Sequence, residues 1–339
     1  MARLTVFGAG AMGTAVAMHS ARAGVDTALW ANPFDALVLE HIRAEGRHPG
    51  LPEHLPSTLA VHGPEELDLA AKDVEIAVLG ATSDTVRSLI GMVREVVDDV
   101  PFVVSLAKGV ETDTAMRISE VVGAELPRPA FVTVAGPCLA SELAIGVPSS
   151  AVWASASIED ARAAGTPLVT PAYQLVFTDD LAGVEYCTAS KNVAAIGIGI
   201  LDGLGKLTGD SYRNAKAALY TMAIQELCVL VEAQGGRKET AMGLAGVGDV
   251  LVTGAGGRNR LYGELIGEGQ DPADAREQLE GRGMTVEGAA SAGDVRRMAR
   301  AHGLHLPYHE VVYRIVFEGD DPHRILDALV SPGVADDER

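Results

Sequence analysis

The sequence predicts an α/β protein in which a doubly wound parallel sheet comes first and an all-helical domain follows. Strand and helix patterns alternate from residue 4 to about residue 180, which is typical of parallel strands joined by right-handed crossovers. Beyond that point the strand patterns stop and long helical patterns take over. The chain has 339 residues, more than one core usually holds, so two domains are expected. We predict domains at 1–180 and 181–330 and a polar tail at 331–339.

In the first domain, short apolar runs alternate with helical segments. The predicted strands are Leu4–Phe7, Val25–Trp30, Glu75–Leu79, Phe102–Leu106, Ala130–Val134, Ser150–Ala154 and Gln174–Thr178. The predicted helices among them are Ala11–Ala23, Thr85–Val97, Thr112–Val122 and Ile158–Ala164.

The second domain contains only helical patterns. They cover Ser190–Gly203, Ala215–Ala233, Arg258–Gly267, Pro272–Leu279, Gly288–His302 and Tyr308–Phe317. The first of these consists of unusually small residues, so another backbone can approach it closely. The second is apolar nearly all round, and we therefore expect it to be the buried axis of the domain.

Composition and charge exclude several classes of function. The net charge of −19 argues against nucleic acid or an anionic membrane as partner, because both require a basic face. No uncharged apolar run reaches the roughly 18 residues that span a bilayer, so no membrane insertion is expected. Neither the three cysteines nor the nine histidines show the spacing of metal ligands or of a disulfide framework. We therefore predict no metal and a cytoplasmic location.

A glycine-rich loop directly follows the first predicted strand. Its glycines have the spacing Gly8-x-Gly10-x-x-Gly13, and a helix and a second strand come after it, which is the context of a dinucleotide site. The second strand ends in Trp30-Ala31-Asn32, where the uncharged Asn32 side chain can hydrogen-bond the 2′-hydroxyl of an adenosine ribose. No Lys or Arg follows before Arg43 to pair with a 2′-phosphate. The sequence therefore favours NAD over NADP, with NADP as the alternative.

Four segments combine charge with glycine or other small residues: "SLAKGVET", "ASKNVAAIG", "GLAGVGDVLVT" and "GGRNRLYGE". They contain Lys108, Lys191, Asp249 and Arg258. A dehydrogenase that reduces a ketone needs a cationic acid, a carboxylate to orient it, and a guanidinium to hold an anionic handle on the substrate. Each residue also has a structural alternative: a loop lysine, a lysine at a helix start, a helix cap and a surface ion pair.

In these segments the chain resembles the NAD(P)-dependent glycerol-3-phosphate dehydrogenases. The similarity runs from about Leu4 to about Leu329, and the motifs come in the family's order: "GAGAMGTAVA", "LAKGVE", "AGPCLASELAIGVP", "SKNVAAIGIGILDGLG", "NAKAAL", "GLAGVGD" and "GGRNRLYG". The resemblance implies a Rossmann-type domain followed by a helical substrate domain like that of 6-phosphogluconate dehydrogenase.

The resemblance also implies roles for individual residues. Those implied for catalysis are Lys191, Asp249 and Lys108. Those implied for the substrate are Lys108, Lys191, Asn192, Asp249, Thr253, Arg258 and Asn259. Those implied for the cofactor are Gly8, Gly10, Ala11, Met12, Gly13, Lys108, Ala140, Arg258 and Glu287, and Asn32 joins them because of its place at the end of the second strand.

The chain departs from the family pattern at four places. Met12 and Met222 replace an aromatic residue and an arginine, and Gly80–Thr82 lacks the proline of the corresponding turn. The segment Lys206–Arg213 is longer than usual, and if it lines the pocket it would admit a longer polyol phosphate.

The sequence thus predicts an oxidoreductase that interconverts sn-glycerol 3-phosphate and dihydroxyacetone phosphate, and so feeds glycerophospholipid synthesis. One alternative is a dehydrogenase for a longer polyol phosphate or a hydroxy acid. Another, of a different class, is a non-catalytic NAD sensor. The apolar content of the helical domain also makes a homodimer the expected assembly.

Overall fold

The computed structural model describes residues 3–111, 114–282 and 284–330. The chain divides into two compact units, Met1–Glu185 and Tyr186–Arg339. The predicted tail 331–339 and the predicted helix start at Thr112 lie outside the described residues.

The first unit contains one eight-stranded sheet with the order β3-β2-β1-β4-β5-β6-β7-β8. The strands are β1 (Arg3–Phe7), β2 (Asp26–Trp30), β3 (Ala60–His62), β4 (Ile76–Leu79), β5 (Phe102–Ser105), β6 (Ala130–Ala135), β7 (Ser149–Ala154) and β8 (Tyr173–Thr178). All seven predicted strands are confirmed, and β3 is an addition. The sheet is not parallel throughout, because β6 and β7 pair antiparallel.

Helices cover both faces of this sheet. They are α1 (Ala11–Arg22), α2 (Ala36–Glu45), α3 (Leu67–Ala70), α4 (Val86–Val97), α5 (Ile118–Glu125), α6 (Ala140–Ile145) and α7 (Ile158–Gly165), with 3₁₀ turns at Pro33–Asp35, Pro64–Glu66 and Thr166–Leu168. Neighbouring residues of β1 belong to different cores, since Val6 packs on one face of the sheet and Phe7 on the other. Burial on both faces explains why the strands read as continuous apolar runs.

Helix α5 begins later than the predicted Thr112. Its first residue is Ile118, and two carboxylates bind the backbone there. Glu120 accepts a hydrogen bond from the Arg117 N–H at 2.8 Å, and Glu185 accepts one from the Ser119 N–H at 2.7 Å. These carboxylates satisfy N–H groups that have no partner inside the helix, and so they set its start.

The second unit is helical in its described residues. Its helices are α8 (Leu181–Thr208, of which 181–185 belong to the first unit), α9 (Arg213–Ala233), α10 (Lys238–Met242), α11 (Asp249–Ala255), α12 (Arg258–Gly267), α13 (Pro272–Glu280), α14 (Glu287–Ala301) and α15 (Pro307–Tyr313), with π-helical turns at Leu244–Gly248 and Arg314–Glu318 and a 3₁₀ segment at Pro322–Val330.

The buried axis of this unit is α8, and the prediction that it would be Ala215–Ala233 is wrong. Residues 187–204 of α8 are buried almost without exception, whereas Ala217 and Ala218 of α9 are exposed. Alanine side chains expose little apolar area, so a helix rich in alanine can face water at small cost. An apolar pattern on all sides therefore did not distinguish α9 from the buried helix.

Glycines let α8 and α12 pack with their backbones in contact. A Cβ at Gly199 would lie 2.0 Å from the Arg260 carbonyl oxygen, and one at Gly263 would lie 2.0 Å from the Ile196 carbonyl oxygen. One turn later, a Cβ at Gly267 would lie 2.2 Å from the Ile200 carbonyl oxygen. Because both helices advance together through these contacts, they run parallel.

Candidate functional site

The glycine loop of the first unit lies where the order of the sheet reverses, between β1 and β4. Gly8 has a φ of +107°, and a Cβ there would lie 2.6 Å from the Gly80 carbonyl oxygen. A Cβ at Gly13 would lie 2.8 Å from the Gly8 carbonyl oxygen. The loops after β1 and β4 therefore touch through glycine backbone, at the crevice where doubly wound folds bind ligands.

This loop leads directly into the N-terminus of α1. The first hydrogen bond of the helix runs from the Thr14 N–H to the Gly10 carbonyl at 2.8 Å, so the N–H groups of Ala11, Met12 and Gly13 have no acceptor within the helix. Such N–H groups, with the positive end of the helix dipole, suit the pyrophosphate of a dinucleotide. At Gly10 a Cβ would meet nothing closer than 3.8 Å, which leaves room for the ligand.

The end of β2 is organised by Asp35, which sequence reasoning missed. One carboxylate oxygen, Oδ2, accepts hydrogen bonds from the Ala9 N–H at 2.8 Å and from the Asn32 N–H at 3.0 Å. The predicted ribose ligand Asn32 caps the following turn, because its Oδ1 accepts from the Phe34 N–H at 2.7 Å. The signal for Asp35 was its place three residues after a capping Asn.

Lys108 lies in the loop after β5, at the same edge of the sheet. Gly109, with a φ of +94°, turns the backbone immediately after it. Lys108 and Met12 line one small cavity together with Cys138, so the structure brings these two predicted residues together. Ala140 begins α6, which packs against α1.

A buried ion pair forms the centre of the predicted site in the second unit. Lys191 Nζ lies 2.6 Å from Asp249 Oδ1, and the two side chains are only 6% and 2% exposed. Asp249 opens α11 after a π-helical turn that needs glycine, because a Cβ at Gly246 would lie 1.8 Å from the Ala241 carbonyl oxygen. A buried charge requires a partner, and each of these two supplies it for the other.

Two further predicted residues flank this pair. Asn192 follows Lys191 on α8 and is buried. Thr253 comes four residues after Asp249 on α11, so both lie on the same face of that helix, and Thr253 is half-buried.

The predicted anion-binding residues lie at the start of α12. Gly257, with a φ of +97°, precedes Arg258. Arg258 is half exposed, donates to Thr285 Oγ1 at 2.6 Å and lies 3.8 Å from the Glu287 carboxylate. Asn259 is buried, and its Oδ1 accepts from the Gly288 N–H at 2.9 Å.

The parallel packing of α8 and α12 brings the start of α12 level with the part of α8 that carries Lys191. Ile196 contacts Gly263, so the same register one turn earlier sets Asn192 beside Asn259. Lys191 and Arg258 are the residues just before that pair. The second unit thus places an ammonium–carboxylate pair on α8 and α11 and a guanidinium at the start of α12, at about the same level along the two packed helices.

The long segment Lys206–Arg213 lies elsewhere. Lys206 comes fifteen residues after Lys191 on the same helix, which corresponds to about 22 Å. Its ammonium is paired with Glu268 at 2.6 Å. The segment therefore does not line the Lys191–Asp249 site, and its length gives no reason to expect a longer substrate.

A second buried polar array adjoins Lys191, and the sequence analysis did not identify it. Ser190 Oγ lies 2.7 Å from His309 Nε2, and His309 Nδ1 lies 2.6 Å from Glu226 Oε2. Glu226 also accepts from the Tyr308 N–H at 2.7 Å, at the start of α15. The array anchors α15 to α8 beside the predicted site, with no separate sequence motif to reveal it.

A metal centre and a membrane-spanning helix are two further kinds of site that the structure bears on. Within the described residues, no three His, Cys, Asp or Glu side chains come together as a metal site would require. None of the helices in the described ranges combines the length and the apolar character needed to cross a bilayer.

Two family models match the chain. The model of the NAD-dependent glycerol-3-phosphate dehydrogenase N-terminus covers residues 3–161. The model of the NAD-dependent glycerol-3-phosphate dehydrogenase C-terminus covers residues 180–327.

Individual proteins are similar over almost the whole chain. A glycerol-3-phosphate dehydrogenase, NAD(P)+, of Thermoanaerobacter sp. (strain X514) is 34% identical over 97% of this chain and 97% of its own length. One of Desulfitobacterium hafniense (strain Y51) is 35% identical over 98% of this chain and 92% of its own. The crystal structure of a glycerol-3-phosphate dehydrogenase from Coxiella burnetii superposes with a TM-score of 0.86 at 31% identity, covering 98% of this chain and 99% of the other.

Proposed function

The chain belongs to the NAD-dependent glycerol-3-phosphate dehydrogenase family, and from this premise we propose that it interconverts sn-glycerol 3-phosphate and dihydroxyacetone phosphate with NAD(P) as cofactor. The observation that carries the proposal is the buried Lys191–Asp249 pair, on a part of α8 that the packing of the two helices sets level with Arg258 and Asn259 at the start of α12. A proton donor and an anion grip are the two groups that reduction of a phosphorylated ketone requires.

Lys191 is the proposed acid and base. The bound nicotinamide supplies the hydride for the ketone carbon. The Lys191 ammonium donates a proton to the carbonyl oxygen as negative charge develops there, and the neutral amine takes the hydroxyl proton in the reverse direction. Asp249, 2.6 Å from Nζ, holds the ammonium in one orientation. Lys108 is proposed to donate a hydrogen bond to a substrate oxygen.

The start of α12 is the proposed phosphate grip. The Arg258 guanidinium is half exposed, so it can turn towards a phosphate without losing a buried partner. Asn259 and Thr253 supply neutral polar groups, and the N-terminus of α12 adds the positive end of a helix dipole. On the cofactor side, the proposed contacts are made by Gly8, Gly10, Ala11, Met12 and Gly13. Asn32 is proposed from its place at the end of β2, and Ala140 and Glu287 from the family resemblance.

A substrate panel tests the proposed function. Oxidation of NADH and NADPH is measured with dihydroxyacetone phosphate, longer ketose phosphates and 2-oxo acids. We expect the largest kcat/KM with dihydroxyacetone phosphate. Faster turnover of a longer phosphate or an oxo acid would favour the first alternative, and cofactor binding without any turnover would favour a sensor.

Replacement of Arg258 by methionine tests the phosphate grip. We expect the KM for dihydroxyacetone phosphate to rise about ten- to a hundredfold, because a hydrogen bond to a charged group contributes roughly 1.5–3 kcal/mol. Competitive inhibition by inorganic phosphate should weaken in parallel. The control is Arg276→Met, which removes an exposed guanidinium of α13 that is paired with Glu280. An unchanged KM in the Arg258 variant would remove this residue from the phosphate grip.

We propose in addition that the protein acts as a homodimer in the cytoplasm, with glycerophospholipid synthesis as the use of its product. The wide spacing of the three cysteines, which does not suggest a disulfide framework, supports this location. Light scattering of the purified protein tests the assembly, and a monomer at micromolar concentration would contradict it.

A further inference from the structure

The turn after β2 carries a carboxylate held in one position. Asp35 Oδ2 accepts from two backbone N–H groups, that of Ala9 at 2.8 Å and that of Asn32 at 3.0 Å. Ala9 belongs to the glycine loop and Asn32 follows β2, so one oxygen ties the two segments together. The other oxygen, Oδ1, makes no hydrogen bond to any part of the chain that the structure describes.

This position is where a dinucleotide places its adenosine ribose. In doubly wound folds the ribose lies at the end of the second strand, and a carboxylate there binds its 2′-hydroxyl. The residue directly at the end of the strand is Asn32, and its oxygen is engaged by the Phe34 N–H. Asp35 supplies the negative charge from three residues further on.

Two basic side chains near this turn, Arg43 and His48, offer little charge to neutralise a second anion. Arg43, the first basic residue after Asn32 in the chain, lies 3.7 Å from the Glu66 carboxylate. His48 is buried, and burial lowers its pKa in spite of its hydrogen bond with the Ala9 backbone and the nearby Asp35, which favours the uncharged imidazole. A 2′-phosphate, with a charge of about −1.5 to −2, would therefore be repelled by the Asp35 carboxylate, while the Arg43 guanidinium already faces the Glu66 carboxylate.

We propose that Asp35 makes the protein select NAD over NADP. The proposal rests on the proposed function only in requiring that a nicotinamide dinucleotide is bound. The carboxylate favours the 2′-hydroxyl of NAD, to which Oδ1 can accept a hydrogen bond, and repels the 2′-phosphate of NADP.

Asp35 also has a structural role, and Asp35→Asn separates the two. Both backbone bonds go to a single oxygen, so an asparagine Oδ1 can accept both while the charge is removed. We expect the ratio of Kd for NADPH to Kd for NADH to fall at least about tenfold, because like charges brought together at a binding surface are strongly unfavourable. A residue that merely held the loop would change both constants by the same factor.

The measurement is binding of NADH and of NADPH to the full chain, followed by nicotinamide fluorescence without substrate. The wild type should bind NADH more tightly, and the preference should shrink at high salt because the repulsion is screened. The control Asp26→Asn removes an exposed carboxylate at the opposite end of β2 and should leave the ratio unchanged.

Equal affinity of the wild type for both cofactors would overturn the proposal, and so would an unchanged ratio in Asp35→Asn. A failure of the proposed function gives a different result. In that case the binding ratio behaves as expected, but no turnover of dihydroxyacetone phosphate follows with either cofactor.

Discussion

Replacing Lys191 by alanine is expected to lower kcat for dihydroxyacetone phosphate by about a thousandfold, since a positioned general acid contributes roughly 10²–10⁴. The Kd for NADH should change by less than about threefold, because the proposed proton donor acts on the substrate rather than on cofactor binding. Stopped-flow turnover and fluorescence titration measure the two quantities. Turnover near the wild-type rate would remove Lys191 from the mechanism.

Two controls distinguish chemistry from misfolding. Lys191→Ala leaves the Asp249 carboxylate buried without its ammonium, which costs about 3–5 kcal/mol. The double variant Lys191→Met/Asp249→Asn removes both charges, so we expect its stability to recover while its activity stays lost. Lys206→Ala, on the same helix but exposed and paired with Glu268, should turn over like the wild type.

Replacing Gly199 by alanine is expected to destabilise the helical unit by roughly 3 kcal/mol or more, because overpacking against backbone leaves no side chain that can move aside. The new Cβ would lie 2.0 Å from the Arg260 carbonyl oxygen, far inside van der Waals contact. Helices α8 and α12 would have to separate, and the register that aligns Asn192 with Asn259 would be lost.

Gly293→Ala is the matched control. Gly293 lies inside α14, and a Cβ there would meet only the flexible Arg297 side chain at 3.9 Å. Alanine is the better helix former, so this variant should gain up to about 1 kcal/mol. Urea unfolding followed by circular dichroism at 222 nm measures both variants. Trp30 and Trp153 both lie in the first unit, so tryptophan fluorescence reports that unit separately. A Gly199 variant as stable as the wild type would contradict the backbone-contact argument.

Much of the first unit was predictable because its signals are local. The β1–loop–α1 segment carries an apolar run, a glycine spacing and a helix pattern within twenty residues, and its prediction is confirmed. The three residues of β3 are too few to establish a period, and this strand was missed. The start of α5 depends partly on Glu185, which lies 66 residues away from Ser119.

The candidate site likewise contains some residues that the sequence could indicate and others that it could not. Residue types and short motifs pointed to Lys191, Asp249 and Arg258, and their roles stay predictions. Sequence reasoning did not find Asp35, because a carboxylate three residues after an asparagine reads as an ordinary cap. Nor did it find the bond between Ser190 and His309, which spans 119 residues.

The sequence by itself determined the fold class, the family and the chemical groups available to the site, because each of these follows from residue types and their spacing along the chain. Only the tertiary structure decided which helix is the buried axis. It also decided that the Lys206–Arg213 segment begins about 22 Å from Lys191 along α8, and that Asp35 ties the glycine loop to the end of β2. These features depend on contacts between residues distant in the chain. Such contacts are chosen by close packing and by the pairing of buried polar groups, and neither of these leaves a periodic pattern in the sequence.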